Sequence, residues 1–324
     1  MPEMNAVAEE GEFTRLASPY RPELLAHCYR MLGSVHDAED QLQETMLRAW
    51  RSYDQFEGRS SLRTWLYRIA TNTCLRAIET RQRRPLPSGL GQPGDDPSGP
   101  LDAPLPEVPW IEPIPDALIG NDPAAVVTSR TNIRLALIAA LQYLPPRQRA
   151  VLILRDVLGW RAAEVADLLG TTTTAANSAL QRARAQLEQV APSEDELREP
   201  AEPDVVALLN RYAAAFENAD VVALTALLRE DATIEMPPTP TWFAGRGNVA
   251  TFLRSSVLRE PGRMRMVPTA ANGQPALAEY VRGADGVYRA FGIQVLTVEG
   301  SLIARISAFL DPSLFVLFGL PAEL

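Results

Sequence analysis

The stretch that decides the fold reads Arg161-Ala-Ala-Glu-Val-Ala-Asp-Leu-Leu-Gly170, then Thr171-Thr172, then a run from Thr173 to Gln189. Val165, Leu168 and Leu169 share one side of the first run. Ala176, Leu180, Ala183 and Leu187 recur at helical spacing in the second. Gly170 turns the chain and the threonines cap the second run. Helix, Gly-containing turn, helix is the helix-turn-helix pattern. It leaves Thr173, Thr174, Asn177, Ser178, Gln181, Arg182 and Arg184 facing outward. These types read base edges and hold phosphates in a major groove. A merely solvated face would normally carry acids, and residues 173–184 carry none.

Working outward, Leu144-Pro145-Pro146 opens a preceding helix with proline in its first turn. That helix buries Ala150, Val151, Leu154 and Val157, and Gly159-Trp160 ends it. Further upstream, Phe56-Glu57-Gly58-Arg59-Ser60-Ser61 is a turn ending in capping hydroxyls. Helix 62–83 then buries Leu62, Trp65/Leu66, Ile69 and Thr73. Its other side shows Arg68, Asn72 and Arg76, with Arg63 and Tyr67 beside them. Guanidinium and aromatic groups on one face suit a single nucleic-acid strand. Spacing alone equally allows Trp65 and Tyr67 to be core residues. In helix 35–51, Val35, Ala38, Leu42, Met46 and Ala49 face inward. Asp37, Gln41, Glu44, Arg48 and Arg51 lie opposite, which by itself reads as a solvated face.

The chain has 324 residues and a net charge of −9, and all 31 basic residues are arginine. Residues 85–129 hold no arginine, 7 acids, 11 prolines and 5 glycines, a linker composition. Residues 130–190 carry 8 arginines against 4 acids, so positive charge is segregated despite the total. No apolar run is long enough to span a bilayer, and the acidic N-terminus is no secretory signal. A cytoplasmic protein is expected. Cys28 and Cys74 then read as buried thiols. Three folded pieces emerge: 12–84, 130–190 and 204–324.

The third piece begins with helix 204–218, burying Val206, Leu209, Tyr212/Ala213 and Phe216, and a short helix around 222–228. Strand 233–236 leads to Pro237-Pro238 and a Trp242-Phe243 loop. After helix 247–256 come strands 263–269, 276–283, 287–298 and 301–310, joined in part by Gly-containing hairpin signals. This is an α+β layer pattern. Both histidines and both cysteines lie in the first piece. The third therefore offers neither a Ser-His-Asp or Cys-His pair nor a His/Cys metal site. No catalytic, cofactor or metal-binding residue is assigned. Glu235, Met236, Trp242, Tyr280, Phe291 and Phe309 are the candidate lining of an apolar pocket for a small ligand. Regulation or ligand sensing is expected there rather than enzymatic turnover.

These residues carry a resemblance. Asp37-Ala38-Glu39-Asp40, Gln43-Glu44 and Arg48-Ala49-Trp50 resemble region 2.2 of extracytoplasmic-function (ECF) sigma factors of the sigma-70 class. Phe56-x-Gly58 and Ser61–Asn72 resemble their regions 2.3 and 2.4. Leu144–Arg149, Val151-Leu152, Arg155 and Ala163–Gly170 resemble region 4. The third piece is similar to SnoaL-like members of the nuclear transport factor 2-like superfamily, an extension some ECF factors carry. Trp110–Asp116 and Asp311–Phe315 resemble a linker motif and a terminal segment of that group. The implied fold is multidomain: two all-α sigma domains, the second with a helix-turn-helix, plus a C-terminal α+β cone. The resemblance implies a free monomer that binds RNA polymerase core and promoter DNA and no membrane. Polymerase contacts would be to the β′ clamp helices and β flap. Asp37, Asp40, Gln43, Glu44 and Arg48 would dock on polymerase. Arg59, Ser60, Ser61, Arg63, Trp65, Tyr67, Arg68, Asn72 and Arg76 would open and hold the −10 element. The outward residues of 173–184 would read the −35 element. The added domain would regulate the other two in cis; the alternative is a small-molecule cyclase or isomerase tethered to DNA-binding helices.

Overall fold

A computed structural model describes residues 11–58, 60–79, 82–120, 133–188 and 202–324. Two compact units divide the chain. The first joins residues through Arg84 to Leu118–Pro192; the second joins Pro85–Ala117 to Ser193–Leu324.

The first unit is helical. Helix α1 (Arg21–Leu32) ends at Gly33, whose φ of 72° suits a residue without Cβ. Ser34 then caps α2 (Val35–Arg51) by accepting the Asp37 N–H at 3.1 Å. The inward side of α2 is Val35, Ala38, Leu42, Thr45 and Ala49. Thr45, not the expected Met46, is the buried residue, because its hydroxyl meets that of Thr73 at 3.2 Å. Helix α3 (Leu62–Glu79) starts on Ser61, whose Oγ accepts the Thr64 N–H. Cys28 and Cys74 are buried free thiols, and burial pushes the Cys74 thiol up.

Helix α4 (Leu135–Gln142) leads to α5 (Pro146–Leu152), which runs on through a π turn at Ile153–Val157. Helices α6 (Ala162–Leu168) and α7 (Thr173–Glu188) then form the expected helix-turn-helix around Val165, Leu168, Leu169, Ala176, Leu180 and Ala183. This group packs on the first three helices. The buried Arg149 guanidinium donates to the Met31 carbonyl at the end of α1, to Gln142 Oε1 at 2.8 Å and to the Gln142 and Leu144 carbonyls. Among the described residues, no helix is long and apolar enough to cross a membrane.

The second unit is a six-stranded sheet under helices. Helices α8 (Pro203–Glu217) and α9 (Val221–Thr225) precede β1 (Leu228–Met236), β2 (Thr239–Ala244) and helix α10 (Arg246–Phe252). Strands β3 (Met264–Ala271), β4 (Gln274–Arg282), β5 (Tyr288–Glu299) and β6 (Leu302–Phe309) come next, then the short α11 (Leu314–Leu317). The sheet order is β2-β1-β6-β5-β4-β3, with only β1–β6 parallel. Helix α8 buries Val205, Leu208, Leu209, Tyr212 and Phe216. Val206, expected inside, is exposed: the core stripe begins one residue earlier. The expected Trp242-Phe243 loop is strand β2, with Ile234 paired to Phe243 and Glu235 to Trp242.

The segment 85–117 contains no helix or strand beyond 3-10 turns, as its prolines require. It is nevertheless laid onto this unit. Gly94 N–H donates to the Trp242 carbonyl, Leu105 N–H to Pro238, and Trp242 Nε1 to Gly91. Asn272 exchanges two hydrogen bonds with Ile114. Trp110, Ile111 and Ile114 of the apolar island are buried.

Candidate nucleic-acid interface

On α3, side-chain alternation sorts the candidate residues. Leu66, Tyr67, Ala70 and Thr71 face the core, which leaves Arg68, Asn72 and Arg76 exposed one turn apart. Ser60 and Ser61 are exposed at its start, and Arg59 lies outside the described residues. Arg63 serves the packing of the helices instead. Its Nε and Nη2 grip the Glu23 carboxylate at 2.9 and 2.7 Å, pinning α3 to α1. Its guanidinium also lies 5.0 Å from the Tyr67 ring centroid. Tyr67 is fully buried, and burial pushes its phenol up. Trp65 is half-buried against Phe56, 5.0 Å between rings. The two readings that spacing left open thus divide by residue, Tyr67 inside and Trp65 at the rim.

On α7, Thr173, Thr174, Asn177, Gln181 and Arg182 are exposed, and Ser178 is half-buried. Thr174, Asn177, Ser178 and Gln181 follow one helical stripe. Thr172 Oγ1 caps the helix at the Ala175 N–H, holding its N-terminal turn outward. Arg184 differs from the others. Its Nε and Nη2 form a two-pronged ion pair with Asp156 at 2.8 and 2.7 Å, fixing α7 against the turn that extends α5.

On α2, Asp40 and Gln43 are exposed, whereas Asp37 is paired with Arg84 and Glu44 with Arg48. The same face shows Leu47 and Trp50 at 39% and 40% exposure, large apolar groups that a merely solvated helix would bury. Leu47 had no part in the sequence reading. Its signal is the spacing 40, 43, 47, 50 on one stripe.

The six candidate pocket residues do not line one cavity. Met236 belongs to the core under the helices. Glu235 points to the opposite face, where its carboxylate accepts from Ser88 Oγ and Ser307 Oγ at 2.8 Å each and from Arg305 Nη1 at 3.4 Å. Trp242 is spent on Gly91, Tyr280 packs edge-on against Phe315, Phe309 is buried and Phe291 is exposed. The polar group inside the helix–sheet core is a different one. Tyr212 donates to Gln294 Oε1, and Gln294 Nε2 donates to Glu279 Oε2, both at 2.7 Å. Burial pushes the Glu279 carboxyl up to about 7. Among the described residues, no cluster of three or more His, Cys, Asp or Glu is placed to hold a metal ion.

Family models match in the same order as these surfaces: Sigma-70 region 2 over residues 16–84, Sigma-70 region 4 over 134–187, and a SnoaL-like domain over 209–306. The ECF RNA polymerase sigma factor SigG of Mycobacterium tuberculosis is 53% identical over 317 residues, covering 97% of this chain and 85% of that one. SigJ of the same organism is 30% identical over 325 residues, covering 95% and 93%. The crystal structure of SigJ matches with a TM-score of 0.61 at 26% identity, over 94% of this chain and 98% of that one.

Proposed function

The chain belongs to the ECF RNA polymerase sigma factors, and from that premise we propose that it directs polymerase core to its promoters under the control of its own C-terminal domain. The face of α2 bearing Asp40, Gln43, Leu47 and Trp50 docks on the β′ clamp helices of the polymerase. The exposed row Arg68, Asn72, Arg76, with Trp65 at its rim, holds the opened −10 strand. The α7 stripe enters the major groove at −35. The work is done in the cytoplasm, where polymerase is.

One observation carries the regulatory half. Residues 85–117 join the two sigma regions in sequence, yet they fold on the SnoaL-like domain, with Ser88 bonded to the buried Glu235 and Trp110, Ile111 and Ile114 buried. A domain that holds the connector sets how far apart the sigma regions can move. Run-off transcription with core polymerase tests both halves. The full chain and a 1–203 truncation should both initiate at a cognate promoter with different activity. Equal activity would sink the regulation, and no transcript from either would sink the sigma reading.

A second reading, a small-molecule cyclase or isomerase, draws on Glu279, a buried acid whose carboxyl burial lifts to about 7. It requires that Glu279→Gln abolish turnover of an apolar ketone substrate. The sigma reading requires that the same change leave run-off transcription intact.

A further inference from the structure

At one end of the sheet in the SnoaL-like unit lies a solvent-facing cavity of about 410 Å³, lined by Arg263, Arg282, Glu260, Gly262, Gly283 and Gly286 among others. We propose that it binds a small phosphate ester, with the two guanidiniums on the phosphate. The inference is independent of the sigma-factor reading. Placement is its first support. Met264 pairs with Val281 in the β3–β4 ladder, and one step further the Arg282 N–H donates to the Arg263 carbonyl at 2.8 Å. Arg263 and Arg282 therefore stand directly opposite each other, which puts their Cβ atoms about 5 Å apart on one face. Like charges so placed destabilise a sheet. Among the described residues neither has a carboxylate partner, whereas Arg265 has Glu217 at 3.9 Å and Arg289 has Asp285 and Glu323. A bound phosphate relieves that repulsion, because each guanidinium offers paired N–H donors to its oxygens.

Neighbouring residues build the cavity around that pair. Tyr288 of β5 is opposite Arg282, and its hydroxyl donates to the Gly262 carbonyl at 2.6 Å, which lays the ring across the strand ends. The Arg265 and Arg282 guanidiniums lie 5.5 and 6.0 Å from its centroid, so the ring steadies Arg282. The β4–β5 turn is fixed by Asp285, whose carboxylate accepts from the Val287 N–H and from the Arg289 guanidinium. Gly283 is required in that turn, since a Cβ would lie 2.5 Å from Arg289 Nη1. Charge is segregated to the same end. Residues 254–289 hold six arginines and three acids, and the rest of 204–324 holds four arginines and nine acids. Of the three acids, Glu279 is buried in the core and Asp285 is spent on Arg289, which leaves Glu260 on the cavity wall. A carboxylate there repels phosphate but accepts from hydroxyl groups. The fitting ligand is therefore a monophosphate of a hydroxylated compound, a sugar or a nucleoside. The volume falls within the range of about 300–1,000 Å³ for small-molecule sites.

Calorimetric titration of the full chain tests this, with inorganic phosphate, ribose phosphate and AMP as probes. The two esters should bind more tightly than inorganic phosphate. Tighter binding of AMP selects a nucleoside ester and equal binding a sugar phosphate, and either upholds the proposal. Arg263→Gln and Arg282→Gln should each weaken ester binding about tenfold. Arg254→Gln, which removes an arginine outside the cavity, should leave it unchanged. Glu260→Gln should narrow the gap between the esters and inorganic phosphate. All three arginines are exposed, so these variants keep the fold, and thermal melting checks that. Without ligand, Arg263→Gln should melt no lower than the native chain, because it removes a like-charge pair. A lower melting temperature would make Arg263 a prop of the fold and overturns the proposal. Absence of binding by every probe at millimolar concentration also overturns it. So does an equal loss in Arg254→Gln, which would assign binding to diffuse charge. None of these readouts needs transcription, so a failed run-off assay leaves them intact.

Discussion

Glu279 is an acid whose environment runs against its chemistry. It is 3% exposed, and the Gln294 amide, itself tied to Tyr212, donates to its carboxylate in the core. Desolvation outweighs that hydrogen bond and lifts the carboxyl from 4.5 to about 7. The folded protein therefore keeps a proton that the unfolded chain releases. Stability from this group is full below about pH 4.5 and is lost as pH rises through about 7. The loss is roughly 3 kcal/mol when complete. Thermal unfolding of the full chain followed from pH 5 to pH 8 should show a falling midpoint for the SnoaL-like unit. Glu279→Gln, which keeps an amide hydrogen bond and has no charge to bury, should flatten that dependence. A midpoint equally sensitive to pH in the variant would assign the effect elsewhere.

At the scale of the element, α7 separates two kinds of contact. Asn177 lies on the stripe with Thr174, Ser178 and Gln181, while Arg182 stands beside it. Asn177→Ala should weaken binding to the preferred −35 sequence by about 1–3 kcal/mol and relax preference at one base pair. Arg182→Ala should weaken binding to all sequences alike and lower the salt slope by about one. Titrations of holoenzyme on matched and single-base-changed duplexes, at two salt concentrations, separate these outcomes. Arg184, held by Asp156, should behave as neither: Arg184→Ala should weaken binding without lowering the salt slope, because it steadies the helix instead of touching phosphate.

The same elements show how far sequence reading reaches. Helices α2, α3, α6 and α7 each bury one stripe, so a 3.6-residue period was visible. Helix α1 buries all nine residues from Leu24 to Leu32, and α4 is apolar nearly all round, so neither shows a period. Strand β2 was hidden by Pro237, Pro238 and Pro240, yet it lies at the sheet edge, where proline is tolerated. The exposed rows of α3 and α7 were legible because arginine and amide side chains replaced acids. The roles of Arg63, Arg184 and Glu235 were not. Each depends on a partner 28 to 147 residues away, Glu23, Asp156 or Ser88, that no local pattern announces.

At the scale of the whole molecule, a connector segment, 85–117, of 6 acids and no arginine is stored on a domain of its own chain. Polar contacts of unequal depth hold it along its length, from Ser88 through Gly94, Asp102 and Leu105 to Ile114. Glu235 is fully buried and serves Ser88, Ser307 and Arg305 together. Glu235→Ala would leave all three without that acceptor and should cost roughly 2–3 kcal/mol. Ser88→Ala removes only the strap's own hydroxyl and should cost about 1 kcal/mol, leaving Glu235 with Ser307 and Arg305. If the connector is held chiefly at this point, limited proteolysis of the full chain should cut within 85–117 faster in Glu235→Ala than in Ser88→Ala, and slowest in the native chain. On the proposed regulation, transcription should change in the same order. Equal cleavage in all three proteins would mean that the backbone bonds of Gly94, Leu105 and Ile114, with the buried Trp110 and Ile111, hold the strap without Glu235. The regulatory contact would then lie along its length.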